Sequence, residues 1–279
     1  MNESSNNLVS TDNEIIERVR SSLDACLKGD KRQKYSRFVL AALGSIPWVG
    51  GLLAATAALD SEKEQDEINS LHTLWIEEHQ SKVQELGQAL IEILTRLENI
   101  GDEIQSRIES DAYLGLVREG FRDWDQAETI EKKDLIRKLL TNAGATTLCP
   151  DDLIRLFLGW IRTYHEAHFM VIREIYKTPG IGRGEIWDRI HGSRPREDSA
   201  EADLFRLLIS DLSIGRVIRQ HREVDYHGNF KKKKTGGSRK NSSGTMKSAF
   251  DNNDPYELTE LGSQFVHYTM EEVVTRIEN

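Results

Sequence analysis

The chain has 279 residues, of which 38% are hydrophobic and 7% aromatic, and its 37 Lys and Arg against 46 Asp and Glu give a net charge of −9. This acidic balance excludes a general nucleic-acid coat protein, and two cysteines are too few for a disulfide scaffold. The length allows two domains, and the composition is typical of a helix-rich protein of a reducing compartment.

The N-terminal segment is polar and acidic, and it lacks the basic start and early apolar run of a signal peptide. We therefore expect residues 1–10 to be disordered and the protein to be cytoplasmic. Apolar residues at helical spacing predict a first helix from Ile15 to Cys26. We assign residues 11–163 to a helical bundle.

The stretch FVLAALGSIPWVGGLLAATAAL, from Phe38 to Leu59, carries no charged residue and follows a basic cluster, KGDKRQKYSR. Proline and glycine interrupt helices, so the central GSIPWVGG predicts a bend between two arms of a helical hairpin over residues 35–59. Each arm has about half of the roughly 20 residues that cross a bilayer. Two interpretations remain open, a buried helical pair in the bundle and a hairpin that leaves the bundle for a membrane.

Three features favour a membrane-active hairpin. Anionic lipid attracts the neighbouring basic cluster, the apolar run is nearly unbroken, and tryptophan suits the membrane interface. This layout is similar to that of bacterial α-helical pore-forming proteins. The residues that we assign to a membrane or partner hairpin are Leu43, Pro47, Trp48, Gly50, Gly51 and Leu53.

Residues 61–110 have a strongly helical pattern and predict one long helix, with candidate bends at Gly87 and Gly101. Its apolar seam alternates spacings of three and four, through Val83, Leu86, Leu90, Ile93, Leu97, Ile100 and Ile104. A seam of this kind is buried either on another helix of the same chain or on a second copy, which would make a homodimer. Shorter helices are predicted over 112–124 and 130–142, and from the CPDD segment onward.

The last third predicts three short helices, a strand, a polar loop over residues 225–254, a second strand and a final helix. The third helix, over 199–213, has Leu204, Leu207, Leu208 and Leu212 as its apolar residues. The segments LLISDLSIGRVIRQ and YELTELGSQF resemble a winged-helix domain, which has the pattern Y-x-L-T-x-x-G after its wing. The resemblance implies an α+β winged helix over residues 164–279. Together with the N-terminal bundle, the predicted fold class is mainly α.

The predicted wing loop contains a cationic segment without acidic residues, and phosphate groups attract such a segment. Its candidate nucleic-acid or anion-binding residues are Lys231, Lys232, Lys233, Lys234, Arg239 and Lys240. The predicted recognition helix, however, starts with Glu197, Asp198, Glu201 and Asp203, which would repel phosphates or stabilise the helix dipole. DNA reading and protein docking both remain open for this domain.

We identify no catalytic, cofactor-binding or metal-binding residue. His165 and His168 in YHEAH lie at i and i+3 without an obvious third ligand, and GIGRGE lacks the G-K-[ST] ending of a phosphate loop. Cys149 precedes a proline, and no histidine close in the sequence could serve as its base. The sequence thus predicts a protein that binds partners and has no enzymatic activity.

The order of apolar hairpin, long helix, LIRKLLTNAG, CPDDLIRLFLGWI and winged helix resembles bacterial abortive-infection proteins of the Abi-alpha kind. The resemblance implies a non-enzymatic role in phage defence. We expect the winged helix to sense a protein partner and the bundle to act at a membrane. The alternative function is a nucleic-acid-binding regulator that uses the lysine-rich wing.

Overall fold

The computed structural model describes residues 30–49, 65–221, 226–227, 248–252 and 255–271, and these are mainly α-helical, as predicted. The predicted disordered segment 1–10, the helix 15–26 and most of the wing loop lie outside the described residues. The chain divides into two compact units. The N-terminal unit is Met1–Arg162 with Glu271–Asn279, and the C-terminal unit is Thr163–Met270.

Helices make up the described part of the N-terminal unit. They are α1 (Asp30–Leu43), α2 (Gln65–Ile100), a 3-10 turn (Asp102–Ile104), α3 (Gln105–Ile108), α4 (Asp111–Gln126), α5 (Ile130–Ala145) and α6 (Asp151–Thr163). Helix α4 packs against both α1 and α5, and α2 packs along α5. The core of this unit therefore lies between α1, α2, α4 and α5.

The single helix predicted over 61–110 is wrong at its C-terminal end. Helix α2 stops at Ile100 because Gly101 adopts a φ of +101°, a conformation that favours glycine, and the chain continues as the 3-10 turn and α3. The described part of the seam is buried within this one chain, on the side of α2 that packs along α5, at Leu86, Leu90, Ile93 and Leu97.

Tyr113 of α4 lies at the centre of the N-terminal core. Its ring stacks on Phe38 with 6.2 Å between the centroids, and its hydroxyl donates to the carbonyl oxygen of Leu140 at 3.0 Å. Complete burial raises the pKa of the Tyr113 hydroxyl. Gly144 allows this approach, since a Cβ there would lie 2.6 Å from the hydroxyl oxygen. A buried tyrosine thus joins three helices.

The C-terminal unit contains four helices and a two-stranded antiparallel sheet among its described residues. The order is α7 (Glu166–Lys177), α8 (Arg183–His191), α9 (Ala200–Ile214), β1 (Ile218–Gln220), β2 (Tyr256–Leu258) and α10 (Glu260–Thr269). Ile218 pairs with Leu258, and an isolated antiparallel bridge joins Ile181, between α7 and α8, to Tyr256. The strand predicted from Gly215 onward begins only at Ile218, because Gly215 still caps α9.

The Y-x-L-T-x-x-G pattern has a physical explanation in this unit. Thr259 caps α10 by accepting a hydrogen bond from the Gly262 amide at 2.9 Å, and its hydroxyl donates to the carbonyl oxygen of Arg216 at 2.5 Å. A Cβ on Gly262 would lie 2.1 Å from the carbonyl oxygen of Val217. The threonine and the glycine together bring α10 against the start of β1.

Candidate functional site

The described part of the predicted bend contains a turn followed by a short helical segment. Helix α1 ends at Leu43, a turn covers Gly44 and Ser45, and the chain is helical again from Pro47 to Val49. Proline is favoured at the first position of a helix because its missing amide would have no partner there. The predicted bend GSIPWVGG therefore includes a helical segment over 47–49, and Gly50, Gly51 and Leu53 lie outside the described residues.

The described half of the hairpin packs into the N-terminal unit. Phe38, Ala42, Ile46 and Val49 are buried, and Phe38 also meets Phe121 of α4 edge-on. Of the predicted hairpin residues, Pro47 is exposed, whereas Leu43 and Trp48 are half-buried. Trp48 Nε1 donates to Asp125 Oδ1 at 2.6 Å, which attaches the bend to α4. No helix among the described residues has both the length and the apolar content needed to cross a membrane.

Helix α9 corresponds to the predicted third helix. Ser199 caps it by accepting from the Ala202 amide at 3.2 Å. Its inner side buries Ala202, Phe205, Leu208, Ile209 and Leu212. Two of the four leucines that mark the predicted helix, Leu204 and Leu207, lie on the other side.

The outer side of α9 exposes three large apolar residues, which we call the α9 face. Leu204 and Leu207 are each 53% exposed and Ile214 is 77% exposed. They recur at spacings of three and seven residues, so they lie on one side of the helix. Exposed single leucines are ordinary, but Leu204 and Leu207 are neighbours on one side of the helix, and Ile214 continues that side beyond the half-buried Asp211.

The arginines around the start of α9 are each paired with a carboxylate. Arg206 binds Glu197 at 2.5 Å and Asp203 at 2.7 Å. The two arginines ahead of the helix make bidentate pairs, Arg194 with Asp188 and Arg196 with Asp198. Hydrogen bonds from these arginines lower the pKa of Asp188 and of Asp198. Three of the four carboxylates predicted to repel phosphate are thus paired with an arginine, although Arg206 is shared by two of them, and the same pairs occupy the arginines.

Glu197 holds the C-terminal end of the predicted wing loop in place. Its carboxylate accepts hydrogen bonds from the Ser248 hydroxyl and, at 2.9 Å, from the Ala249 amide. These two bonds lower the pKa of Glu197 below its usual value of 4.5. Sequence reasoning missed this role because the two partners lie 51 and 52 residues further along the chain.

Aromatic packing and a helix cap also hold Phe250 and Asn252, at the C-terminal end of the predicted wing loop. The ring of Phe250 lies 5.2 Å from that of Trp187 and 6.0 Å from that of Phe205, between centroids. Asn252 Oδ1 accepts from the Glu185 amide at 3.2 Å and so caps α8. The candidate binding residues of the wing itself lie outside the described residues, namely Lys231, Lys232, Lys233, Lys234, Arg239 and Lys240.

His168 of YHEAH is a buried capping residue. Its Nδ1 accepts a hydrogen bond from the His165 amide at 3.1 Å, and its ring stacks on Tyr164 with 4.9 Å between centroids. Nε2 lies 3.6 Å from Asp211 Oδ2, and burial lowers the pKa of the imidazole. Within the described ranges, no three His, Cys, Asp or Glu side chains are grouped as a metal site.

Comparisons of the chain with protein-family models, with curated proteins and with solved structures give no match.

Proposed function

We propose that the C-terminal unit is a winged helix that docks a protein partner on the α9 face. The order of its elements supports the winged-helix part of the proposal. Three helices are followed by β1, a loop and β2, and the bridge between Ile181 and Tyr256 stands where the first short strand of a winged helix would pair. Fold alone does not define function, so the docking role rests on the surface of α9.

The observation that carries the proposal is the chemistry of the α9 face. A recognition helix that reads DNA presents polar or cationic side chains to base edges and phosphates. Helix α9 instead presents Leu204, Leu207 and Ile214, and its own arginine, Arg206, is held by two carboxylates. Apolar side chains of this size stabilise complexes when a partner removes them from water.

The residues around the α9 face are acidic, and this charge indicates that the partner is basic. Glu201 and Asp203 are exposed in the first turn, where Arg206 offsets one negative charge, and Asp211 is half-buried between Leu207 and Ile214. Complementary charge speeds association and selects partners. The partner is therefore an apolar segment flanked by lysine or arginine, such as an amphipathic helix with a basic border.

Two designed helical peptides test this choice of partner. They share one leucine stripe, and lysines border it in the first peptide and glutamates in the second. The Lys-bordered peptide should bind the full chain, and Leu204→Asp with Leu207→Asp should abolish binding in fluorescence anisotropy. Ile130→Asp, at an 85% exposed position of the N-terminal unit, is the control and should bind normally. Equal binding of both peptides, or loss in the control, would refute the proposal.

The wider role that we propose is a non-enzymatic defence or stress protein of the abortive-infection kind. In it, partner binding by the winged helix leads the apolar segment 38–59 to act on a membrane. Release of this segment would have to break the packing of Phe38 and Ile46 and the hydrogen bond from Trp48 to Asp125.

Dye release from anionic vesicles tests the membrane step. Trp48→Phe should release more dye than the wild type because it removes the hydrogen bond to α4. Leu53→Asp should release less because it places a charge in the apolar arm. If the wild type and both variants leave vesicles intact, and expression in cells causes no dye uptake, the membrane role is wrong while peptide binding by the α9 face can still hold.

A second candidate function is nucleic-acid binding through the wing. The anchoring of the wing base by Glu197 and Phe250 favours it, because a fixed base would present the lysines at one end of the domain. A duplex-binding titration at rising salt decides it. Binding that falls steeply with salt, and less steeply once Lys231, Lys232, Lys233 and Lys234 are alanine, supports this function. No binding at low salt removes it.

A further inference from the structure

An open groove of about 510 Å³ lies on the N-terminal unit between α4 and the end of α6. It is lined by Gly115, Arg118, Glu119, Arg122, Asp123, Gln126 and Arg162. None of these residues belongs to the α9 face or to the apolar hairpin. Three arginines and two carboxylates in one groove give a local positive charge in a chain whose net charge is −9.

The two carboxylates of the groove are already neutralised. Arg162 Nη2 donates to Asp123 Oδ2 at 2.7 Å and lies 3.8 Å from Glu119 Oε1. Arg155, two turns before Arg162 on α6, places its Nε 3.6 Å from Glu119 Oε2. The hydrogen bond to Asp123 raises the pKa of Arg162. These ion pairs form one wall of the groove and hold its side chains in place.

The other two arginines supply the surplus charge. Arg118 and Arg122 are exposed, and among the residues that the structure describes neither makes an ion pair or a hydrogen bond. They lie one turn apart, so their Cβ atoms are about 6 Å apart on the same side of α4. Two like charges at this spacing weaken a helix slightly, and an anion between them would reverse that effect.

The neutral residues of the groove suit a compact anion. Gln126 continues the row one turn beyond Arg122 and adds an uncharged amide donor. At Gly115 no side chain fills the space, and a Cβ there would meet only the guanidinium of Arg155, at 3.9 Å. Two guanidinium forks beside an amide donor match the several oxygens and the double charge of a phosphomonoester.

We propose that this groove binds the phosphate group of a phosphomonoester, through Arg118, Arg122 and Gln126. The same chemistry occurs in a soluble phosphate ester and in the head group of phosphatidic acid. The two sources differ only in what the phosphate is attached to, so they call for two separate binding measurements on the full chain.

Calorimetry with phenyl phosphate tests the soluble source, and flotation with phosphatidylcholine vesicles that contain phosphatidic acid tests the lipid source. Vesicles of phosphatidylcholine alone provide the blank. We expect Arg118→Gln with Arg122→Gln to weaken binding at least tenfold. Arg118→Lys with Arg122→Lys keeps the charge but loses the forked donors, so we expect an intermediate loss.

Lys177→Gln with Arg196→Gln is the matched control. It removes the same charge from two exposed residues that are paired with Glu174 and Asp198. The proposal is supported if a probe binds the wild type and the control but not the variant with both groove arginines replaced by glutamine. The probe that behaves in this way identifies the source of the phosphate. If neither probe binds the wild type, or if the control loses as much as the groove variant, the proposal is wrong.

Discussion

Trp48 and Asp125 are joined by a hydrogen bond of 2.6 Å although they lie 77 residues apart in the chain. Trp48→Phe keeps an aromatic ring and removes the donor. We expect the variant to lose about 1 kcal/mol of unfolding free energy, measured by urea denaturation, because the partner is a charged acceptor in a partly buried place.

The matched control is Leu40→Ala, at a 70% exposed position of the same hairpin. It should change stability by less than about 0.5 kcal/mol. Asp125→Asn keeps an acceptor oxygen and should lose less than Asp125→Ala. A Trp48→Phe protein as stable as the wild type would show that the hydrogen bond does not contribute to attaching the bend.

Gly262→Ala is expected to be among the most damaging single-methyl additions in the C-terminal unit. The new Cβ would lie 2.1 Å from the carbonyl oxygen of Val217, and backbone atoms cannot rotate away as a side chain can. We expect a loss of about 3 kcal/mol, the upper end for overpacking. Gly159→Ala is the control, because open space surrounds Gly159 in the middle of α6. It should stabilise the protein by about 0.5 to 1 kcal/mol in thermal unfolding.

Gly215→Ala should destabilise the C-terminal unit through one identifiable atom. A Cβ at this position would lie 2.1 Å from the hydroxyl oxygen of Tyr164 but 3.5 Å from the ring carbon that carries it. Adding Tyr164→Phe to Gly215→Ala removes that oxygen and should restore most of the lost stability. A double-mutant cycle in urea measures this coupling, and simple additivity of the two changes would contradict it.

The stability of the C-terminal unit should depend on the ionisation of Glu197. Hydrogen bonds from Ser248 and Ala249 lower its pKa in the folded state, whereas the unfolded chain has a value near 4.5. The carboxylate therefore stabilises the fold fully above the unfolded pKa, and this contribution is lost as the pH falls through the folded pKa. The melting temperature of Glu197→Gln should lie below that of the wild type at pH 6, and the two should converge under acid conditions.

Glu128→Gln, at an exposed position of the N-terminal unit, is the control for this pH series. It should follow the wild type at every pH. A constant gap between Glu197→Gln and the wild type from pH 6 to pH 3 would mean that the carboxylate acts by its shape and not by its charge.

The spacing of apolar residues predicted the helices well, but it did not indicate which side of α9 is exposed. The seam through Leu90 and Ile93 is buried as its spacing indicates. In α9, apolar residues occur on both sides, so spacing alone could not decide which side faces the core. The aromatic contacts of Phe205 with Trp187 and Phe250 decide it, and these depend on residues far apart in sequence.

Local chemistry predicted the order of elements in the C-terminal unit but not its long-range polar contacts. Thr259 caps the amide of Gly262 within one helical turn, so seven consecutive residues are enough to recognise this pattern. Glu197 binds the far end of a loop, and Arg162 binds a carboxylate 39 residues earlier on another helix. Such pairs have no sequence signal without a fold. The break at Gly101 differs, because glycine itself marks a weak point in a helix.

The two ends of the lysine-rich segment are held separately, by the pairing of β1 with β2 and by the contacts of Glu197 and Phe250. A protease cut within 228–247 would therefore leave two fragments that still fit together and co-elute under native conditions. The attachment of both ends also limits how far the lysines can extend from the domain. Because the residues on either side of 222–247 are held, even a fully extended chain at about 3.4 Å per residue would carry no lysine backbone more than roughly 40 Å from them.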